Sequence, residues 1–476
     1  MSRPSLDEAR TKIVATVGPA CSKIEQLMEL IQAGVDVFRI NTAHGSREQH
    51  QEVLESIREA SRRSQFQVGV LLDLAGPKLR LGQLHQDPYE CKTGSTVTFI
   101  RGEQPGAADE LTSSYQKLVD ELDVGDRVML ADGIVALKVE EATADKAVCR
   151  VVAGGMIRSR QGINLPGVKL SVSALLPRDI DNAIWGAQNE VDLISLSFVR
   201  SAEDIQSLHQ VLKTHGSSAL VIAKIEKPEA LENLSSIVDA ADGVMVARGD
   251  LGVEIDVAET PIAQKRIIRV CREKNKPVIV ATQMLESMHH SSRPTRAEAS
   301  DIANAILDGT DACMLSGETA IGDHPAKAVE MMNRIMLATE QELIHEISAA
   351  TVTDRVHPIT SAVTHAATNI AESIDAKLIV IATKSGSTAW VKSKSRSQIP
   401  TLGASDSVAT LRRMNLLWGI EPFAASQIND TQAFIDEVIR WGRQNAELAS
   451  GDQVVFVTGT GVVKQAHNQL LVHTVK

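Results

Sequence analysis

Two hydrophobic rhythms alternate at the start of the chain. Short apolar runs, KIVATVG from Lys12 to Gly18, DVFRIN from Asp36 to Asn41 and VGVLLDL from Val68 to Leu74, alternate with stretches at about 22–33 and 46–63 that have a helical period. Continuous apolar runs of this length predict strands buried on both faces, and the segments between them predict helices. At Gly76-Pro77 the pattern changes. Up to Pro166-Gly167 the helical period is absent and short alternating runs replace it: STVTFI, DRVMLADGIVALKV and KAVCRVVAG. Asp132-Gly133 between two of them is a hairpin signal. A small all-β insert of roughly 90 residues is predicted, within the ordinary domain range. It is bounded by Gly76-Pro77 and by GINLPG from Gly162 to Gly167, and paired hinges of this kind suit a lid.

After Pro177 the strand–helix rhythm returns. Strands are predicted at 192–198, 219–226, 243–247, 277–282 and 312–316, and helices at 201–215, 228–239, 258–274 and 295–308. With the three strands before the insert this makes eight βα units, which favours a closed (β/α)8 TIM barrel over an open sheet. The remaining residues carry the runs KLIVIAT, IPTLGAS, GIEPFAA and DQVVFVTG between helical stretches, predicting a second α/β unit with a parallel sheet of at least four strands. The expected division is 1–75 for the first part of the barrel domain, 76–168 for the β lid, 169–340 for the rest of the barrel and 341–476 for the C-terminal domain.

Composition narrows the class. With 476 residues and 43% hydrophobic content, the chain can bury several cores. A net charge of −11 with no basic stripe argues against a nucleic-acid partner. The five cysteines, at 21, 91, 149, 271 and 313, never form a CxxC pair and read as reduced thiols. No apolar run of about 18 residues appears, so neither a membrane span nor a signal core is predicted and a cytoplasmic location is expected.

The chemistry-bearing residues gather at predicted strand ends. In VIAKIEKPE the period of two puts Lys224 and Glu226 on one face, and the next strand ends in Arg248-Gly249-Asp250. Two carboxylates with room for water and substrate suit Mg²⁺ or Mn²⁺, although a plain Lys–Glu ion pair and an Asp helix cap are the alternative. Arg39 and Asn41 share a face on the second strand, with His44 just beyond. A guanidinium there serves either to grip a phosphate or carboxylate or to bridge barrel carboxylates. Thr282 ends the seventh strand, and Ser316 and Glu318 follow the eighth; helix capping is compatible with both. In the C-terminal unit, Thr383, Ser385, Gly386, Ser387 and Thr388 open a helix. Hydroxyls and free amides at such a start make a phosphate nest or an ordinary capped turn.

Taken together, KIVATVGPA, FRIN with AHG, LLDLAGPKLR, GINLPG, AKIE, VARGDLGVE, VATQMLESM, RPTRAEASDIANAILDGTDACMLSGETA and TKSG resemble the pyruvate kinase family, in the same order. The resemblance implies transfer of the phosphoryl group of phosphoenolpyruvate to ADP, giving ATP and an enolpyruvate that is protonated to pyruvate, the last step of glycolysis. It implies that Glu226 and Asp250 hold the divalent ion, Lys224 stabilises the migrating phosphoryl group and Arg39 grips the phosphate. Gly249, Asp250 and Thr282 would seat the substrate carboxylate. Asn41, His44 and Arg80 would line the nucleotide side under the lid. Protonation would occur near Thr282, through water from Ser316 and Glu318. It further implies a homotetramer and allosteric control by a phosphorylated effector in the C-terminal domain.

Three features depart from the family pattern. Members that bind K⁺ use an Asn, a Ser, an Asp and a Thr, with a Glu after the Gly-Pro; here these read Asn41, Ala43, Asp73, Leu74 and Lys78. With two ligand oxygens missing, the Lys78 ammonium is expected to stand in for K⁺ beside Asp73, as in the K⁺-independent branch. Gln161, behind Arg160, stands where a basic residue often precedes GINLPG, which leaves a nucleotide contact open. The loop 459–468, GTGVVKQAHN, lacks the glycine-rich character of relatives that close over a sugar bisphosphate. This speaks against fructose 1,6-bisphosphate and leaves a sugar monophosphate or a nucleotide. Two rival functions remain: a barrel lyase using the same metal logic, which needs neither Arg80 on a lid nor Lys224, and a catalytically silent homologue.

Overall fold

A computed structural model describes residues 9–342, 358–458 and 469–476, apart from 103, 105, 106, 427, 429 and 447. The loop 459–468 lies outside the described residues. Eight strands, Lys12–Thr16, Val37–Asn41, Gly69–Leu74, Leu193–Leu196, Leu220–Ile225, Gly243–Ala247, Val278–Ala281 and Ala312–Leu315, close into a barrel in which every neighbouring pair is parallel. The (β/α)8 architecture expected from the apolar runs is thus present.

The period of two explains how one barrel face changes character along its height. Val37, Arg39 and Asn41 point to one side of their strand, as do Leu71 and Asp73, Leu193, Ser195 and Ser197, and Ile222, Lys224 and Glu226. The apolar members of these series, Val37, Leu71, Leu193 and Ile222, pack with Val14 and Ile279 in one fully buried cluster that fills the barrel interior. The polar members lie above them, at the carboxyl ends of the strands. The opposite strand faces pack under the helices in the largest core of the molecule.

The helices follow the predicted stretches, with two differences. The segment at 228–239 is two helices, Pro228–Glu232 and Leu234–Ala240, divided at Asn233. Arg248–Glu254 is helical directly after the sixth strand, so Asp250 stands in a first helical turn and not on the strand end itself.

Between the third and fourth barrel strands the chain builds a separate six-stranded sheet and a small two-stranded one. Its hairpin pairs Leu130 with Val135 around Asp132-Gly133, where Ala131, Asp132 and Gly133 all have positive φ. This sheet has its own core, which includes Val97, Phe99, Val128 and Val139. It touches the barrel mouth through Asn164 Nδ2, which donates to Glu254 Oε1 at 3.2 Å.

The C-terminal sheet has the order Ile420–Ala424, Thr401–Ser405, Leu378–Ala382, Gln453–Thr458, Gln469–Thr474. Its first four strands are parallel; the last is an antiparallel edge strand that the sequence pattern does not announce. This unit seals the amino end of the barrel. Leu416 joins the interior barrel cluster, and Asn415 and Arg413 donate to the Gln67 and Ser218 carbonyls just before the third and fifth strands. Asp311, fully buried before the eighth strand, accepts from Lys394 at 2.7 and 2.8 Å and from Arg396 at 2.9 Å, both from the C-terminal unit.

Candidate active site

Lys224 is the buried centre of the barrel mouth. Its ammonium donates to Ser197 Oγ at 2.7 Å and stands 2.9 Å from Glu226 Oε1 and 3.4 Å from Asp73 Oδ1. Burial lowers its pKa, but the charges of Asp73 and Glu226 outweigh that and raise it above the ordinary lysine value. The lysine is therefore a fixed cation in a dry site. Its two acidic neighbours diverge. Burial pushes both carboxyls up, yet Lys224 and Arg39, with a hydrogen bond from Ser195 Oγ at 2.6 Å, hold Asp73 at about 2. Glu226 has burial and the Asp250 charge against it and only Lys224 and the Phe198 amide in its favour, so its pKa is raised.

Arg39 uses all three guanidinium nitrogens inside the mouth. Nε and Nη2 donate to Asp73 Oδ2 at 2.9 and 2.5 Å, and Nη1 donates to Thr16 Oγ1 at 2.9 Å. Of its two readings, the structure places it as a bridge to a barrel carboxylate. It remains partly exposed.

Asp250 and Thr282 frame the opposite side. The Gly249 amide donates to Thr282 Oγ1 at 2.8 Å, and a side chain on Gly249 would crowd that oxygen at 3.3 Å. Thr282 adopts φ 68°, a strained conformation for a β-branched residue, of the kind that gathers at functional sites. Arg248 holds it there by donating from Nε and Nη2 to the Thr282 carbonyl at 3.2 and 2.7 Å. Glu318 accepts from the Ser316 and Leu285 amides at 2.7 and 3.1 Å, tying the ends of the seventh and eighth strands together. The Ser316 hydroxyl is buried with no hydrogen-bond partner.

Lys78 departs from its expected place. Its ammonium donates to Asp250 Oδ1 at 3.1 Å. Asp73, its anticipated neighbour, is already engaged by Arg39, Lys224 and Ser195, and Asn41 Oδ1 accepts from the Ala43 amide at 3.1 Å. His44 lies on an exposed turn, and its carbonyl is 2.7 Å from His50 Nε2. Arg80 sits at the lid hinge, bridged to Gly162, with Nη1 on the Arg160 carbonyl at 3.1 Å; the Gln161 side chain accepts from the Arg158 amide.

Far from the mouth, the turn before helix Ser387–Lys394 has the shape of a nest. Gly386 takes φ 89°, its amide donates to Thr383 Oγ1, and the Ser385 and Ser387 hydroxyls lie 2.8 Å apart and exposed, while Thr388 is buried.

The acidic pair has the character of a divalent-ion site. Glu226 Oε1 is buried and accepts no hydrogen bond of acceptable geometry, with only the Lys224 ammonium beside it. Among the described residues no three His, Cys, Asp or Glu side chains group closely enough to hold an ion alone. A hard cation that takes two carboxylates and completes its shell with water and substrate fits this donor set.

Four participants were given no role in the sequence: Ser195, Ser197, Thr16 and Arg248. Ser197 was accessible in principle, since Ser195 and Ser197 alternate on the strand face that looks into the barrel.

A family model described as "Pyruvate kinase, barrel domain" matches residues 8–329, and one described as "Pyruvate kinase, alpha/beta domain" matches residues 361–473. The chain belongs to the pyruvate kinase family. A pyruvate kinase of Mycobacterium intracellulare is 42% identical over 450 residues, covering 94% of this chain and 95% of its own. One from Geobacillus stearothermophilus is 38% identical over 471 residues, covering 98% and 80%. A crystal structure of a pyruvate kinase from Cryptosporidium parvum superposes with a TM-score of 0.91 at 33% identity, covering 99% of this chain and 97% of that one. Pyruvate kinases are phosphotransferases.

Proposed function

We propose that this chain transfers the phosphoryl group of phosphoenolpyruvate to ADP, forming pyruvate and ATP as the last step of glycolysis in the cytoplasm. The observation that carries the reading is Lys224, a buried ammonium kept charged between Asp73 and Glu226 at the mouth of the barrel. Phosphoryl transfer asks for charge neutralisation and alignment more than covalent help. A preorganised cation in a dry site supplies the first without reorganisation.

Glu226 and Asp250 would hold Mg²⁺ or Mn²⁺, which when bound neutralises substrate oxygens and polarises the enolate. The raised pKa of Glu226 supports this, because a cation there would relieve the cost of its buried charge. Arg39 would meet the substrate phosphate with its exposed edge, braced from behind by Asp73 and Thr16. Gly249 and Thr282, already hydrogen-bonded to each other, would seat the substrate carboxylate. Ser316 and Glu318 would lie on the protonation route, with Glu318 fixing the backbone of Ser316. Asn41, His44 and Arg80 would contact the nucleotide as the lid closes.

K⁺ is not required in this reading, since Ala43 and Leu74 offer no side-chain ligand oxygens and Lys78 brings a positive charge to the Asp250 side. A phosphorylated effector, a sugar monophosphate or a nucleotide, would bind at Thr383, Ser385, Gly386, Ser387 and Thr388. The proposed domain limits are 1–75, 76–168, 169–340 and 341–476, and the proposed assembly is a homotetramer. Among the described residues no helix is long and apolar enough to cross a membrane.

The deciding experiment is a coupled assay with Mg²⁺. ADP-dependent pyruvate formation from phosphoenolpyruvate supports the proposal. Aldol cleavage without nucleotide would favour the lyase, and the absence of any turnover would favour a silent homologue.

A further inference from the structure

Where the lid meets the barrel, three polar side chains meet at one oxygen. Glu254 Oε1 accepts from Lys227 Nζ at 2.7 Å and from Asn164 Nδ2 at 3.2 Å. All three residues are buried, and Glu254 Oε2 has no hydrogen-bond partner. Two of them adjoin the proposed ion site through the backbone. Lys227 follows Glu226, and Glu254 lies four residues after Asp250 on the helix Arg248–Glu254, one turn along the same face. Asn164 belongs to the second lid hinge, Gly162 to Gly167. The first hinge reaches the same place. A side chain on Gly76 would stand 2.9 Å from Cδ2 of Phe198, whose ring centroid lies 6.0 Å from the Lys227 ammonium. The Phe198 amide in turn donates to Glu226 Oε2 at 2.7 Å. Pro77, Leu79, Ile163 and Leu165, from the two hinges, line a cavity together with Lys227 and Glu254.

A buried ion pair seldom adds net stability, whereas removing one partner leaves a costly bare charge, so this pair needs a reason other than stability. We propose that Lys227 and Glu254 form a latch that fixes the spacing of the two ion-holding carboxylates and docks the lid on the same oxygen. The inference rests on the reading of Glu226 and Asp250 as ion ligands. The Lys227–Glu254 bond ties the end of the fifth barrel strand to the end of the helix after the sixth. The segments that bear Glu226 and Asp250 therefore cannot spread apart without breaking it. With those segments held together, Glu254 Oε1 stands where Asn164 reaches it, so lid docking and the geometry of the ion site depend on one atom. Losing Asn164 leaves the ion pair in place, whereas losing the pair also removes the acceptor for the lid. Lys227 and Glu254 act through their neighbours and are positioning residues.

The test uses the full chain, with Mn²⁺ titrated by electron paramagnetic resonance and KM for ADP measured in the coupled assay. The double variant Lys227→Met/Glu254→Leu replaces both charges with apolar side chains and leaves neither bare; circular dichroism checks its fold. Its Mn²⁺ dissociation constant is expected to rise at least about tenfold, the lower end of what removing the supports behind metal ligands costs. Asn164→Ala is expected to raise KM for ADP about tenfold, the scale of one hydrogen bond to a charged group. Its Mn²⁺ affinity and kcat are expected to stay within about twofold of wild type, because the ion pair remains. Adding Asn164→Ala to the double variant is expected to raise KM for ADP no further, since the acceptor is already gone. Lys227→Arg, which keeps the charge, is expected to retain most of the Mn²⁺ affinity. A folded double variant with wild-type Mn²⁺ affinity overturns the latch, and so does an Asn164→Ala effect on KM that persists undiminished in it. Wild-type Mn²⁺ affinity in Glu226→Ala and Asp250→Ala instead removes the underlying reading itself.

Discussion

Lys78 donates a hydrogen bond to Asp250 across 3.1 Å, joining the residue just after Gly76-Pro77 to the proposed ion site. The ammonium therefore belongs with the substrate-side charges and not with Asp73. Activity in Tris buffer free of K⁺ and NH₄⁺ is expected to be close to that in 100 mM KCl. Lys78→Glu is expected to lose most activity, with K⁺ restoring little, because Ala43 and Leu74 offer no side-chain oxygens. A unit charge about 4 Å from substrate oxygens is worth roughly 4 kcal/mol at an effective dielectric of 20. Wild-type enzyme stimulated many-fold by K⁺ would contradict this.

Removing the acidic pair should abolish turnover without unfolding the barrel. Glu226→Ala or Asp250→Ala is expected to lower kcat by at least about 10³-fold, since each takes away a protein ligand of the ion. Mn²⁺ titration followed by electron paramagnetic resonance should show sharply weaker binding, and circular dichroism should be unchanged. Near-normal activity in either variant would remove the metal assignment.

Lys224→Met separates two half-reactions. Loss of a preorganised cation aimed at the transferring group is expected to cost about 10²–10³ in kcat. Methyl-proton exchange of pyruvate is expected to survive in part, because it moves no phosphoryl group. Equal loss of both would mean that Lys224 organises the whole mouth.

Asp73 makes a pH prediction with a definite sign. Its folded pKa, about 2, lies below the ordinary carboxylate value, so its stabilisation is present above about pH 4 and is lost as pH falls towards 2. The shift corresponds to roughly 2 kcal/mol at neutral pH. Denaturant midpoints measured from pH 7 down to 2 should show this segment in wild type and lack it in Asp73→Asn. Asp73→Ala is expected to cost about 3–5 kcal/mol, since it leaves Arg39 without its carboxylate partner in a partly buried site beside Lys224.

The effector nest is tested at its exposed rim. Ser387→Glu puts a carboxylate among the amides that would receive a phosphate, whereas Thr388 is buried and less suited to that exchange. Activation by the most effective sugar phosphate or nucleotide should vanish while activity without effector remains. Undiminished activation would make the nest an ordinary turn.

The barrel was legible because its strands are apolar on both faces and its helices are not, a contrast any parallel barrel imposes. Lys224 and Glu226 were legible for a related reason: charges appear where an otherwise apolar strand face reaches water. Ser197 and Thr16 were harder to see, because small hydroxyls suit a strand interior with or without a charge beside them. The placement of Lys78 could not be read at all. Nearness along the chain favours Asp73, but Arg39 and Lys224 fill that carboxylate from strands far away in sequence. The antiparallel edge strand Gln469–Thr474 was missed because its half-exposed pattern lacks the apolar run that marked the others.

The clamp on Asp311 gives the C-terminal helix Ser387–Lys394 the mechanics of a lever. Its eight residues span about 12 Å, short enough to move as a rod. The Lys394 end is pinned to the carboxylate before the eighth strand, Trp390 donates to the Asn275 carbonyl at 2.7 Å, and Ser387 at the other end is exposed. An effector bound at Ser385 to Thr388 would bear through this helix on Asp311, which directly precedes the strand Ala312–Leu315 and so Ser316 beyond it. The same pin meets the seventh strand, because Asp311 Oδ2 also accepts from the Val278 amide at 2.9 Å. The two strands closest to the fulcrum are thus those that carry Thr282 and Ser316, while the strand of Lys224 and Glu226 lies off its line.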